Sequence, residues 1–293
     1  RMGGLAIINH PDLERHEYAG RTLGADAVEI GVPSSILQSV RKTLIWWHEQ
    51  LIRGDRITGM TGADHHHSGG LINPSLWGSG VNLIRVDPAL ASQDSVALAM
   101  DDPEQAINLR SEIAIDAIAR GHVMNIEDKD SARLYIGADT DHDGRFHNAR
   151  GGDCIGDEVE QVAFRVRITG ASDPPGFRDM YDGMLLQVWT EMVDDRPTME
   201  LVVDVDDGVR APREGENYVV DPNDPFAITF YRKNVPGEKR FVRMELNRRE
   251  DLHSPEFQPF QNVAATNPIY LGDWADECDL SMPIAAGSRY MTN

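Results

Sequence analysis

Lysine is nearly missing from this chain. Of its 28 basic residues only four are lysine, at positions 42, 129, 233 and 239, and the other 24 are arginine. Basic residues are also outnumbered by 48 acidic ones, which leaves a formal net charge of −20. A protein that grips a phosphate backbone needs a basic patch, so nucleic acid is not an expected partner. Acidic excess with arginine over lysine has two readings: a salt-adapted host, or an ordinary acidic protein from a GC-rich genome. No run approaches the roughly 18 consecutive apolar residues of a helical membrane span, and no signal peptide is visible at the start. Two cysteines, Cys154 and Cys278, lie far apart and lack metal-ligand spacing. They form one disulfide, as in an exported protein, or remain two buried thiols. An extracellular or cell-envelope location is expected, with the cytoplasm left open. Also missing are a serine–histidine–acid arrangement and a phosphate-cradling glycine loop; Ser68-Gly69-Gly70 is too short for one.

What is present is enough for one large domain or two ordinary ones: 293 residues, 41% of them apolar. Up to about residue 130 strand and helix signals alternate. Ser34 or Ser35 can cap a helix that runs to about Arg53 with Gly54 just past its end. Ile36, Leu37, Val40, Leu44, Trp47 and Leu51 give it one apolar face. Asp102 caps a second helix, Pro103 occupies its first position and Gly121 stops it. Between the two helices, Val81 to Val86 reads as a strand. Beyond residue 131 the period changes to two. Six short runs, from Ala132-Arg-Leu-Tyr-Ile-Gly137 to Phe241-Val-Arg-Met-Glu-Leu246, are separated by loops rich in Asp, Gly and Pro, the pattern of an antiparallel β-sandwich. Residues 125–130 read as the linker, giving domains of 1–130 and 131–293.

Thr58-Gly-Met-Thr-Gly-Ala-Asp-His-His-His67 carries the most chemistry. An apolar, glycine-punctuated strand ends in one aspartate and three histidines. Imidazole and carboxylate are the usual ligands of zinc, iron and manganese, and a strand's carboxyl end is where α/β enzymes keep their chemistry. The bland alternative is a His-rich surface loop. Gly3-Gly-Leu-Ala-Ile-Ile-Asn-His10-Pro11 repeats the pattern, since Pro11 ends an apolar strand beside a histidine. A third strand, Ala25 to Ile30, contains Glu29.

These segments resemble the polymerase-and-histidinol-phosphatase (PHP) superfamily, in its carbaryl-hydrolase-like branch of metallohydrolases. The matching pieces, in order, are Ile7-Ile-Asn-His-Pro11, Ala25-Asp-Ala-Val-Glu-Ile30, Leu51-Ile-Arg-Gly-Asp-Arg-Ile-Thr58, Ala63-Asp-His-His66, Ala117-Ile-Ala-Arg-Gly-His-Val123 and Thr266-Asn-Pro-Ile-Tyr-Leu271. The resemblance implies an α/β plus all-β fold: the C-terminal part of a distorted PHP-type (βα)7 barrel, followed by the antiparallel β-sandwich. It also implies a multinuclear Zn, Mn or Fe site built from His10, Asp64 and His66, with Glu29 as a further candidate ligand. His65, His66 and His67 are the candidate catalytic side chains. Two departures stand out. Ala63 replaces the family's usual serine, and no His-x-His precedes His10. A longer precursor, a partner chain, a second copy of this one, or a degenerate barrel would account for the missing motif.

A second cation site is suggested by Asp139-Thr-Asp-His-Asp-Gly144. Carboxylates at alternate positions converge on one ion, and glycine at position six allows the turn, as at the start of a calcium loop. Position twelve is Arg150 where an EF-hand has glutamate, so Asp153, Asp157 or Glu158 would have to complete the shell. The alternative is a solvated acidic turn. Together these features favour a metal-dependent hydrolase acting on small phosphate, carboxyl or carbamate esters. The competing function is a catalytically inactive structural or cell-surface subunit whose cations stabilise the fold or an assembly.

Overall fold

The structure, a computed structural model, describes residues 5–9, 24–31, 37–61, 79–86, 92, 103–128, 131–170, 184–193, 196–248, 262–274 and 278. Three short strands, β1 (Ile7–Ile8), β2 (Ala27–Gly31) and β3 (Thr58–Thr61), form a parallel sheet in that order. Helix α1 (Leu37–Ile52) connects β2 to β3. Parallel neighbours need such a crossover. The α1 side chains Leu44, Trp47 and Leu51 pack with Val28, Ile30 and Ile57 in one buried cluster.

Beyond β3 the chain departs from a barrel. Strand β4 (Ser79–Ile84), helix α2 (Pro103–Ala119) and β5 (Val123–Asp128) follow, and β4 pairs with β5 antiparallel. No (βα)7 barrel is formed: the described residues contain two helices, and the remaining elements are strands in open sheets. Local periodicity reports a strand but not the direction of its partner, so the βα-like spacing of the first 130 residues was compatible with both arrangements.

Strands β4 and β5 belong to an eight-stranded sheet in the order β11 (Arg196–Val205), β10 (Met184–Val193), β14 (Lys239–Arg248), β15 (Asn262–Thr266), β5, β4. Beside β14 lies β16 (Ile269–Gly272), which also pairs with β8 (Cys154–Ile155). The five-stranded sheet runs β12 (Tyr218–Asp221), β13 (Asp224–Lys233), β9 (Gln161–Thr169), β6 (Arg133–Asp139), β7 (Ala149–Arg150). All its pairs are antiparallel. The two larger sheets share one apolar core, with Leu134, Phe164, Val166 and Phe230 from one and Val188, Met244 and Leu246 from the other. Of residues 125–130, which sequence composition assigns to a linker, 125–128 are part of β5, where Asn125 and Ile126 pair with β15; residues 129–130 lie outside the described residues.

On β14 the side chains alternate between two buried environments. Val242, Met244 and Leu246 enter the sandwich core, and Phe241 joins the α1 cluster. Arg243, Glu245 and Asn247 are buried as well. The Arg243 guanidinium lies over the Trp47 ring at 4.8 Å, donates to His48 Nδ1 at 3.3 Å and pairs with Glu245. Covering the outer face of a sheet with a helix thus brings charges out of water, and each is held by a partner.

Among the described residues no fourth strand pairs with the outer edge of β3. Carboxamides take its place. Gly59 N–H donates to Asn267 Oδ1 at 2.8 Å, and Asn267 Nδ2 donates to Gly59 O at 2.9 Å and to Val123 O at 2.8 Å. Asn125 adds a bond to Gly59 O at 3.1 Å. Two residues along, Thr61 N–H donates to Asn82 Oδ1 at 2.8 Å, and Asn82 Nδ2 donates to Thr61 O at 2.7 Å. Close approach also requires glycine at position 59, where a Cβ would lie 2.7 Å from Trp47 Cζ2. Replacing Asn267 by alanine should leave the buried Gly59 N–H unpaired, remove one of the two bonds at each of the Gly59 and Val123 carbonyls, and cost about 1–3 kcal/mol. Urea unfolding of Asn267→Ala checks this; a loss below about 0.5 kcal/mol, the range of ordinary surface changes, would show that the clasp is dispensable.

Candidate functional site

His10, Asp64, His65, His66 and His67 lie outside the described residues. Their flanking strands are described. β1, which ends two residues before His10, and β3, which ends three residues before Asp64, lie on either side of β2 and run parallel to it. Glu29, on β2, is 7% exposed and sits opposite Met60 in the register.

The acidic loop is fully described. It joins β6 to β7 and begins at Asp139, the last residue of β6. One carboxylate oxygen each from Asp139, Asp141 and Asp143 lies within 4.8 Å of the others, so the three can hold a metal ion. Two residues turn the chain here in the left-handed region, His142 at φ 60° and Gly144 at φ 82°. Asp139 is 3% exposed. Its Oδ2 accepts from Gly144 N–H at 2.9 Å, while its buried Oδ1 has no hydrogen-bond partner. A buried carboxylate oxygen without a donor is costly unless a cation completes it. Asn148 Oδ1 accepts from Thr140 N–H at 3.1 Å across the loop, and Asp143 Oδ1 accepts from Arg145 N–H at 2.7 Å. Desolvation pushes the Asp141 carboxyl up. Hydrogen bonds with the Asp139 carboxyl, the Asp143 backbone and the Asn148 side chain outweigh it and hold Asp141 below the ordinary aspartate value.

Asp153 is not part of this group. Its carboxylate is occupied by Arg85, at 2.5 and 2.8 Å, by His122 Nε2 at 2.8 Å and by Arg150 N–H at 2.8 Å. It joins the residue after β4, the residue before β5 and the β7–β8 connection. Proximity in sequence to the acidic loop suggested a ligand, but the β6–β7 pairing turns the chain away before Asp153 is reached. Burial would push the Asp153 carboxyl up; the His122 and Arg85 hydrogen bonds and the Arg85 charge reverse that and hold it well below the usual carboxylate range.

Sequence reading missed the arginine-lined cavity beside the acidic loop. Its volume is about 660 Å³, and its walls include Tyr135, Arg145, Phe146, Arg150, Arg165 and Arg167. The available signal was the alternation Arg165-Val166-Arg167 on β9, which places both guanidinium groups on the face opposite the sandwich core. The structure also pairs Cys154 with Cys278, with Cα atoms 6.2 Å apart. Among the described residues no helix is long and apolar enough to cross a membrane. No family model matches the chain, and no curated protein or solved structure matches it.

The lowered Asp153 value has a definite sign. A carboxyl held lower in the folded than in the unfolded state adds stability above its unfolded value, about 3.9, and loses that contribution as pH falls below it. Asp153→Asn should therefore destabilise the protein by about 1–3 kcal/mol at neutral pH. The gap to wild type should narrow as pH falls below about 4. Urea titrations of both proteins at neutral and acid pH test this; a gap that stays constant or widens in acid would contradict the assignment.

Proposed function

We propose that the chain is a metal-dependent hydrolase of small phosphate, carboxyl or carbamate esters. The observation that carries this is the common direction of β1, β2 and β3, whose carboxyl ends lie at one edge of one sheet. Two residues of chain reach at most about 7 Å and three about 11 Å, against a β1-to-β3 separation of about 10 Å. His10, Asp64 and His66 can therefore meet at that edge, and Glu29 enters the same sheet between them. The motif resemblance to the PHP superfamily adds to this reading without its barrel.

A Zn, Mn or Fe centre held by these residues would lower the pKa of a bound water and polarise the ester's phosphoryl or carbonyl oxygen. His65 and His67 would orient the ligands or deliver the proton to the leaving oxygen. The Asp139–Asp141–Asp143 loop, which offers oxygen donors alone, takes calcium in this reading. The disulfide supports a secreted or cell-envelope location, because such bonds persist in oxidising compartments. The acidic loop alone also suits the second reading, a structural or surface subunit stabilised by bound cations.

Elemental analysis and ester hydrolysis separate the two. The hydrolase reading expects stoichiometric Zn, Mn or Fe and turnover of an aryl phosphate, carboxyl ester or carbamate. His10→Ala and Asp64→Asn should each lower kcat/KM by about 100-fold or more, as removal of metal ligands does. Calcium as the sole bound metal, with no turnover of any of the three ester classes, would favour the structural reading.

A further inference from the structure

We propose that the outer face of the five-stranded sheet carries a calcium-dependent binding site for small organic anions. The calcium dependence rests on the reading that the acidic loop takes calcium; the anion site rests on the cavity itself. The cavity, about 660 Å³, falls within the roughly 300–1,000 Å³ typical of small-molecule sites. Four arginines line it and no acidic residue does. That is a strong local excess in a chain with 48 acidic and 28 basic residues.

The arginines retain unused donors. Arg165 pairs with Asp221 and Arg167 with Asp224 at 2.6 Å, both carboxylates lying outside the cavity lining. A guanidinium has five N–H donors and one carboxylate uses at most two of them. Arg165 Nε is buried and has no hydrogen-bond partner. Arg150 has an exposed side chain and makes no ion pair among the described residues. The apolar part of the wall comes from Tyr135, which is 44% exposed, and from Phe146, whose ring lies 5.9 Å from the Arg165 guanidinium carbon. The matching ligand has a carboxylate, sulfonate or phosphate group attached to a flat ring.

Calcium enters through the loop, because one wall of the cavity is the acidic loop's own continuation. Gly144, Arg145 and Phe146 line the cavity and directly follow Asp143. The loop is seated on β6, where a Cβ at Gly137 would collide with the Phe146 carbonyl. Arg145 Nε is 3.8 Å from Asp143 Oδ2. A cation that engages Asp143 offsets its charge and leaves Arg145 available to an anion. The same cation completes the buried Asp139 Oδ1 and fixes the turn that carries Arg145 and Phe146.

Isothermal titration of the purified protein tests both parts, first with calcium alone. Phenylphosphonate, p-toluenesulfonate and phenylacetate follow, each in saturating calcium and in chelator; the strongest binder among them identifies the anionic group preferred. Calcium should tighten that binding by about tenfold, within the usual range of coupling between two sites. Asp139→Asn with Asp141→Asn should abolish calcium binding and its effect on the anion. Arg145→Ala with Arg150→Ala should keep calcium binding and lose the anion. If the double variant does not fold by circular dichroism, Arg150→Gln, at an exposed side chain, replaces it. Calcium binding without any anion binding would overturn the anion site and leave the calcium reading standing. Anion binding without calcium binding would overturn the calcium reading and the dependence on it. Anion binding unchanged in the arginine variants would also overturn the proposal.

Discussion

The molecule depends on how the free edge of β3 is satisfied. A three-stranded parallel sheet ends in a row of backbone groups that must find partners, because the edge is buried against the rest of the protein. Asn82, Asn125 and Asn267 supply carboxamides where another strand would supply peptides. A carboxamide carries the same donor and acceptor as a peptide, so Asn267 and Asn82 each close a two-bond ring with one residue of β3. The partners come from β4, β5 and the turn before β16, all belonging to the larger sheet system. The edge contact is therefore also the joint between the parallel unit and the sandwich. Thr58 Oγ1 to Ile118 O, and Arg56 to the carbonyls of Arg120 and Gly152, extend it to the end of α2.

That joint explains what could and could not be read in advance. The helices were legible because their limits are local: Pro103 at one start, Gly54 and Gly121 at the ends. The long strands of the sandwich were legible because one face alternates apolar residues. β5 was not, because Asn125-Ile-Glu-Asp128 has the composition of a loop. Asn125 is buried for the sake of Gly59, a partner 66 residues away. The barrel expectation failed for a related reason. Each early strand looked like a barrel strand, and the antiparallel pairing of β4 with β5 is a long-range fact. At the acidic loop the three aspartates were legible from spacing alone, whereas Asp153 was not excluded by spacing. Its removal from the group depends on where β7 turns and on two basic partners distant in sequence.

The shortage of lysine takes on meaning in this setting. Many of the arginines bridge several acceptors at once. Arg56 reaches two carbonyls and lies 5.4 Å from the Tyr270 ring, whose hydroxyl burial pushes up to about 12. Arg85 holds both oxygens of Asp153, and Arg243 sits buried between Trp47, His48 and Glu245. A planar fork with five donors suits such joints, and its weak hydration lowers the cost of burying it. A lysine at any of these places would present one compact, strongly hydrated charge and leave acceptors unmatched. Whatever the origin of the arginine bias, the fold uses it where the layers join, beside the apolar cluster of α1.

The same logic of donor type separates the two cation sites proposed for the chain. The ligands proposed at the edge of the parallel sheet, His10, Asp64 and His66, are a mixed nitrogen and oxygen set that favours zinc, manganese or iron. The β6–β7 loop offers oxygen alone, on a turn whose spacing suits a large, hard ion. Neither donor set is the best available to the other's ion. The acidic loop is anchored by Asp139 at the end of a strand whose Leu134, Ile136 and Ala138 belong to the sandwich core. A cation there acts on the sandwich and on the arginine-lined face beside it. A cation at the proposed β1–β3 site would act on the parallel unit and on substrate. The parallel unit and the sandwich are joined by the carboxamides along β3 and by the packing of α1 against Phe241 of β14, and the different donor sets suit the two sites to different ions.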